Sequence, residues 1–192
     1  MMSPSLQAYL NACIVVLFTN YDHLKILSCL SAILMEVYRI SKCAYIQDLT
    51  GTGARLYGGR WNSKGHAIVY TAGSRALAAL EVLVHVPLKN IVQDFCIATI
   101  EIPDGIAIQT LTRKELPSGW QSLAPFPELQ CVGDQWIEEG KYAVLKLPSV
   151  VIPEEFNYLI NPLHPEVSGI KILSQQPFHF DPRLQQKDEG VT

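Results

Sequence analysis

Gly58 to Glu81, GGRWNSKGHAIVYTAGSRALAALE, reads as loop, strand and helix in succession, and this order gives the chain its α+β character. Ser74 suits a helix N-cap, because its hydroxyl can accept a first-turn N–H. The residues from Arg75 to Val84 are mostly strong helix formers. Leu77, Ala78, Leu80 and Val84 recur at three- and four-residue spacing, so the predicted helix lays one face on a core. Glu81 falls at the edge of that stripe. A carboxylate there is costly unless it is paired, hydrogen-bonded or turned towards a cleft. A border glutamate reaching water, paired with Arg75 or Lys89, fits the pattern equally well.

Upstream, Ala67, Ile68, Val69 and Tyr70 form a short apolar run closed by Thr71, Ala72 and Gly73, which predicts a buried strand entering a tight turn. Tyr70 then lies beside the start of the helix. Arg60 and Trp61 follow two glycines and precede Asn62, Ser63, Lys64 and Gly65. Exposed glycine backbone with a planar guanidinium suits a phosphate. Yet GTGARLYGG at 51–59 matches neither the dinucleotide fingerprint nor the P-loop, and a flexible loop with a surface arginine fits too. Arg60, Tyr70 and Glu81 come from three separate elements and are of the types that handle an anionic nucleotide.

Elsewhere the pattern predicts short strands at 36–40, 67–71, 94–102, 106–110, 142–147 and 169–174, with helices at 74–86 and 133–139. Pro117, Pro125 and Pro127 mark a long irregular loop over 113–130, of the kind that covers a cleft. Ser149 follows Pro148 at the end of an apolar strand. It reads as a turn serine, and no His–Asp partnership accompanies it to make a serine hydrolase.

The chain has 192 residues, 48% hydrophobic against 17% charged, which suits a single folded domain and excludes a disordered chain. Its net charge is −3 without a long basic run, so direct nucleic-acid binding is not expected. Cys13, Cys29, Cys43, Cys96 and Cys131 are widely spaced and odd in number, with no CxxC pair. That usage points to a reducing, cytoplasmic setting rather than a disulfide framework. The five histidines form no HExxH or close pair, so no metal site is expected.

Two apolar runs, 10–19 and 26–35, are separated by Asn20, Tyr21, Asp22, His23 and Lys25. Neither reaches the roughly 18 to 20 residues needed to span a bilayer. No Lys or Arg precedes the first, as a signal peptide requires. Residues 1–34 therefore read as an extension from a misassigned start or a helix outside the domain, 35–184 as the domain, and 185–192 as a tail.

Four strings carry a resemblance: VYRI at 37–40, GGRWNSKG at 58–65, VYTAGSRALAALE at 69–81 and LPSVVIPEEFNYLINP at 147–162, followed by FDPRL. In this order and spacing they resemble the RES domain, a family named for its Arg, Glu and Ser. The resemblance spans about Glu36 to Leu184. It implies an ADP-ribosyltransferase-like fold, a split β-sheet core with flanking helices, and a toxin of a toxin–antitoxin pair that consumes NAD. It further implies an antitoxin with a helix-turn-helix, Xre-like DNA-binding domain whose C-terminal part blocks the pocket, and a homodimer within that complex. By matched position, Arg60, Tyr70 and Glu81 are the implied catalytic residues, with Arg39, Ser149, Asn157 and Asn161 binding the substrate.

These residue types fit the implied reaction. Loss of nicotinamide builds positive charge on the ribose, which a carboxylate such as Glu81 stabilises. Guanidinium groups of Arg39 and Arg60 bind phosphate oxygens in pairs. Tyr70 suits stacking on the cationic nicotinamide or bonding to the ribose, and Ser149 a hydrogen bond to the dinucleotide. The ADP-ribose passes to phosphate or water, or alternatively to a protein. A catalytically silent RES-like binding module is the rival class.

Overall fold

The computed structural model describes residues 35–87, 94–122 and 127–184. Residues 1–34 and 185–192, set apart by sequence as extension and tail, lie outside them. So does Lys89, one sequence-stated partner for Glu81.

Among the described residues, seven strands and three α-helices follow one another in an α+β order. They are β1 (Met35–Lys42), α1 (Thr52–Tyr57), β2 (Val69–Ala72), α2 (Arg75–His85), β3 (Phe95–Ile102), β4 (Ile108–Thr110), α3 (Pro127–Glu139), β5 (Val144–Pro148), β6 (Phe156–Ile160) and β7 (Lys171–Phe178). The strands hydrogen-bond in the order β4-β5-β6-β2-β1-β3-β7. All neighbours are antiparallel except β4 and β5, which makes the sheet mixed. Within it, β1 and β3 pair along their whole length, whereas β1 meets β2 only at Tyr38 and Ala72. The sheet is thus two halves, β4-β5-β6-β2 and β1-β3-β7, joined at one residue pair. This is the split core that the family resemblance implies.

Alternation along the strands sorts the apolar residues onto two sides. Val37, Val69, Ala98, Ile100, Val144 and Ile160 share one core that runs beneath both halves. On the other side there are two separate clusters. Leu77 and Ala78 of α2 pack with Ile40, Ala72, Phe95 and Ile97, while Leu129, Trp136 and Ile137 of α3 pack with Trp61, Leu145, Leu147 and Leu159. Tyr70, Ala72, Asn157 and Leu159 line the sheet between these helices by register, since Tyr70 faces Leu159 and Ala72 faces Asn157.

Helix α2 starts as its sequence predicts, with the Ser74 hydroxyl accepting from the Leu77 N–H. Its buried face differs from the predicted stripe: Val84 is 57% exposed, and Ala79 and Val82 pack inward in its place. Helix α3 begins at Pro127, six positions before the predicted start. Proline there is favourable, since its fixed φ suits the first helical position and its missing N–H would be unsatisfied anyway. Two elements escaped the sequence reading: β6, and α1, which begins after Gly51 in a left-handed conformation at φ 67°.

The cysteine reading is corrected. Cys43 and Cys96 form a disulfide, with Cα atoms 4.8 Å apart. Their 53-residue separation hid it. The β1–β3 register sets Lys42 against Phe95, which brings the residue just past the end of β1 beside Cys96. Cys131 is a free, exposed thiol. No described helix is long and apolar enough to cross a membrane.

Candidate functional site

Glu81 lies at the end of the second turn of α2, partly exposed, on the flank that faces the end of β5 and the start of β6. Its Oε1 accepts two hydrogen bonds, from Ser149 Oγ at 2.9 Å and from Asn157 Nδ2 at 2.6 Å. The sequence alternative, an ion pair with Arg75, is absent among the described residues. The Arg75 guanidinium instead stacks over the Tyr38 ring at 4.7 Å and donates to Thr99 Oγ1.

Ser149 is fully buried. Its oxygen also accepts the N–H groups of Val151 and Ile152 at 3.0 and 3.1 Å. A hydroxyl offers one donor and two acceptor positions, so Ser149 is saturated by the turn after β5 and by Glu81. Nearby, Glu155 accepts from Ser74 Oγ at 2.6 Å, which ties the same turn to the N-terminus of α2.

The second part of the site is the turn carrying Arg60. Asn62 is completely buried; its amide donates to the carbonyls of Ala54, Ser63 and His66 at 2.9, 3.1 and 2.9 Å. Its Oδ1 accepts from the Tyr70 hydroxyl at 2.7 Å, and the Tyr70 oxygen accepts the Trp61 N–H at 3.1 Å. Burial pushes the Tyr70 phenol well above its ordinary pKa of 10.0, only partly offset by the Trp61 N–H. A Cβ on Gly59 would come 2.5 Å from the Tyr70 hydroxyl, so only glycine lets the ring tuck under the turn.

Helix α3 seals this turn from the other side. Gln130 donates to the carbonyls of Gly59 and Asn62, Asp134 accepts the Ser63 N–H at 2.9 Å, and His66 Nε2 meets Glu138 at 3.0 Å. The close approach depends on Gly133, where a Cβ would lie 1.7 Å from the Trp61 carbonyl oxygen. A glycine inside a helix costs about 1 kcal/mol against alanine, so contact with the turn outweighs propensity here. Arg60 projects from the braced turn and donates to the carbonyls of Trp120 and Ser122 at 3.4 and 3.1 Å. These belong to the segment that the sequence reads as a cleft cover.

The structure therefore joins Glu81, Ser149 and Asn157 directly, and joins Arg60 and Tyr70 through one turn. The two groups share the side of the sheet between α2 and α3. Arg39 is not brought to them: its alternation along β1 sets it with Val37 and opposite Ala98, on the side away from α2. There it donates to the Asp48 carbonyl, and burial lowers its pKa. Asn161 is buried in the turn after β6, where its Oδ1 accepts the Leu163 N–H. Four residues along a strand put it roughly 13 Å from Asn157.

Sequence reasoning missed Asn62, Gln130, Asp134 and His66. Asn62 was within the quoted stretch, but nothing in a polar turn sequence distinguishes a buried asparagine from an exposed one. Two grooves lie elsewhere: one of about 290 Å³ beside Arg113, Lys146 and Phe156, and one of about 570 Å³ along Lys171–Gln175. Neither includes Glu81 or Arg60. Among the described residues no cluster of His, Cys, Asp and Glu could hold a metal ion.

Comparison with known proteins bears on the family and the fold. The chain is 42% identical over 142 residues to a protein of Sphingobium sp. (strain YBL2) named Prs ADP-ribosylating toxin, covering 73% of this chain and 88% of that one. It is 39% identical over 155 residues to the Toxin Res of Yersinia enterocolitica, covering 78% and 99%. Among solved structures, the M. tuberculosis MbcT–MbcA toxin–antitoxin complex contains a chain of similar fold, with TM-score 0.64, 18% identity and coverage of 76% and 85%. The sequence model of the RES domain matches residues 36–181. With most of its length in that match and relatives of this similarity, the chain belongs to the RES domain family.

Proposed function

We propose that this chain is the NAD-consuming toxin of a toxin–antitoxin pair, cleaving the bond between nicotinamide and ribose. The observation that carries the reading is the Glu81 carboxylate, held by Ser149 and Asn157 on the same side of the sheet as the Arg60 turn. In the reaction the C1′–N bond breaks and its electron pair leaves on nicotinamide. Positive charge builds on the ribose, and the Glu81 carboxylate stabilises it. An oxygen of phosphate or water then forms the new bond to C1′, and the proton of water passes to solvent.

Arg60 is the group assigned to the pyrophosphate. A guanidinium has five N–H donors, against two described carbonyl contacts, and it binds phosphate oxygens in pairs. We assign this role to Arg60 rather than Arg39 because Arg39 lies on the other side of β1. Tyr70 shapes the Arg60 turn. The M. tuberculosis complex of similar fold supports an antitoxin partner for this chain.

A second acceptor has a specific observation behind it: the Sphingobium relative is named an ADP-ribosylating toxin. In that reading the same pocket passes ADP-ribose to a protein side chain. One experiment addresses both. The purified chain is incubated with NAD, with and without phosphate, and nicotinamide release is followed; labelled NAD is added to a cell lysate in parallel. Turnover of NAD alone supports degradation, and a discrete labelled protein supports transfer. No nicotinamide release and no labelling would leave only a silent binding module.

A further inference from the structure

We infer that Ser149 is a positioning residue that acts through Glu81, and that Oε2 of Glu81 is the oxygen that faces the reacting ribose. The inference deepens the proposed reaction and rests on it. Both described hydrogen bonds to the carboxylate, from Ser149 and from Asn157, end on Oε1. Two donors on one oxygen fix the rotation of the carboxylate about its last bond. The geometry therefore separates an anchored oxygen from a working one.

Ser149 has no capacity left for a substrate. It is fully buried, its proton points to Glu81, and its lone pairs take the N–H groups of Val151 and Ile152. Those two N–H groups fix the hydroxyl in space, so the backbone of the turn after β5 is relayed to the carboxylate through a single oxygen. Asn157 reaches the same atom from β6, and the β5–β6 pairing of Pro148 with Phe156 and Leu147 with Asn157 keeps the two donors in fixed relation. The arrangement lets a helix-borne carboxylate hold one orientation while nicotinamide departs, which is the preorganisation that electrostatic stabilisation requires.

The test is steady-state kinetics of nicotinamide release for the full chain. Ser149→Ala is expected to lower kcat about ten- to hundredfold, the range for losing a hydrogen bond to a charged group. KM for NAD stays within about twofold, since no substrate contact is removed. Ser149→Thr, which keeps the hydroxyl, restores most of kcat. In a Glu81→Asp background the shorter side chain already withdraws from Ser149, so adding Ser149→Ala costs nothing further. Asn157→Ala removes the other donor to Oε1 and gives the same fall in kcat alone, which decides the matter should Ser149→Ala not fold. A rise in KM with kcat unchanged, or fully additive losses in the Glu81→Asp background, overturns the inference. A parent chain that releases no nicotinamide overturns the reaction itself, which is a different result.

Discussion

The Arg60 turn and the Glu81 carboxylate are built in opposite ways. Around Arg60, Asn62 bonds to residues within eight positions of itself, and Tyr70 closes the same turn from β2. Glu81 instead depends on Ser149 and Asn157, 68 and 76 positions away. The turn is held together chiefly by its own near neighbours, with α3 bracing it from outside, whereas both described hydrogen bonds to the carboxylate come from distant residues. On the proposed reaction the contrast divides the labour: the turn is assigned to binding, and the carboxylate to rate.

That division can be broken by mutation, and the expected effects on turnover run from large to nil. Glu81→Gln removes the charge that, on the proposed reaction, stabilises the ribose cation. It is expected to cut kcat by about a hundred- to a thousandfold, the range for losing one electrostatic stabiliser, with little change in the urea midpoint. A fall in KM-dependent binding alone would place Glu81 with the turn and end the contrast.

Asn62→Ala strips the carbonyls of Ala54, Ser63 and His66, and the Tyr70 hydroxyl, of one buried partner. Each orphaned buried group costs about 1 to 3 kcal/mol before relaxation, so unfolding measurements should register a loss of about 3 kcal/mol. Turnover should weaken chiefly through KM, by about tenfold, as Arg60 loses its platform.

Tyr70→Phe is the milder form of the same injury. It leaves the Trp61 N–H and Asn62 Oδ1 without the phenol, at a cost of about 1 to 2 kcal/mol, and turnover should stay within about threefold. A hundredfold fall in kcat would mean that the hydroxyl works on the ribose after all. The variant also has a pH signature. The phenol of Tyr70 is raised above its ordinary 10.0 in the folded chain, so above that pH the unfolded chain releases a proton that the folded chain keeps. Stability from this group is complete below about pH 10 and declines as pH rises beyond it. Tyr70→Phe should flatten that alkaline decline in urea unfolding.

Cys96→Ala lies outside both regions. Opening the Cys43–Cys96 link should cost about 2 to 4 kcal/mol in unfolding and leave nicotinamide release unchanged. A change in turnover would tie the β1–β3 half to the site.

The same contrast explains what could be read in advance. Helix α2 and its Ser74 cap were legible because capping and helical spacing are local. Arg60, Tyr70 and Glu81 are singled out as candidates partly by residue type and chiefly through ordered family strings. The partnership of Glu81 with Ser149 was not legible, because it is set by strand register and not by anything near either residue. The Cys43–Cys96 pair was hidden for the same reason. The side on which Arg39 emerges needed the exact alternation of β1. Strand β6 passed unnoticed because Asn157 interrupts its apolar run, and that asparagine is a donor to Glu81.

The long separation of Glu81 from its two donors also has a meaning in time. A ribosome adds about 5 to 20 residues per second, and domains fold largely as their residues emerge. Helix α2 is therefore complete roughly 4 to 15 seconds before Ser149 and Asn157 have been added. For that interval the carboxylate has neither anchor, and no fragment ending before β6 possesses both. The nascent chain therefore acquires its oriented carboxylate only once β6 has been added, long after the helix that bears it.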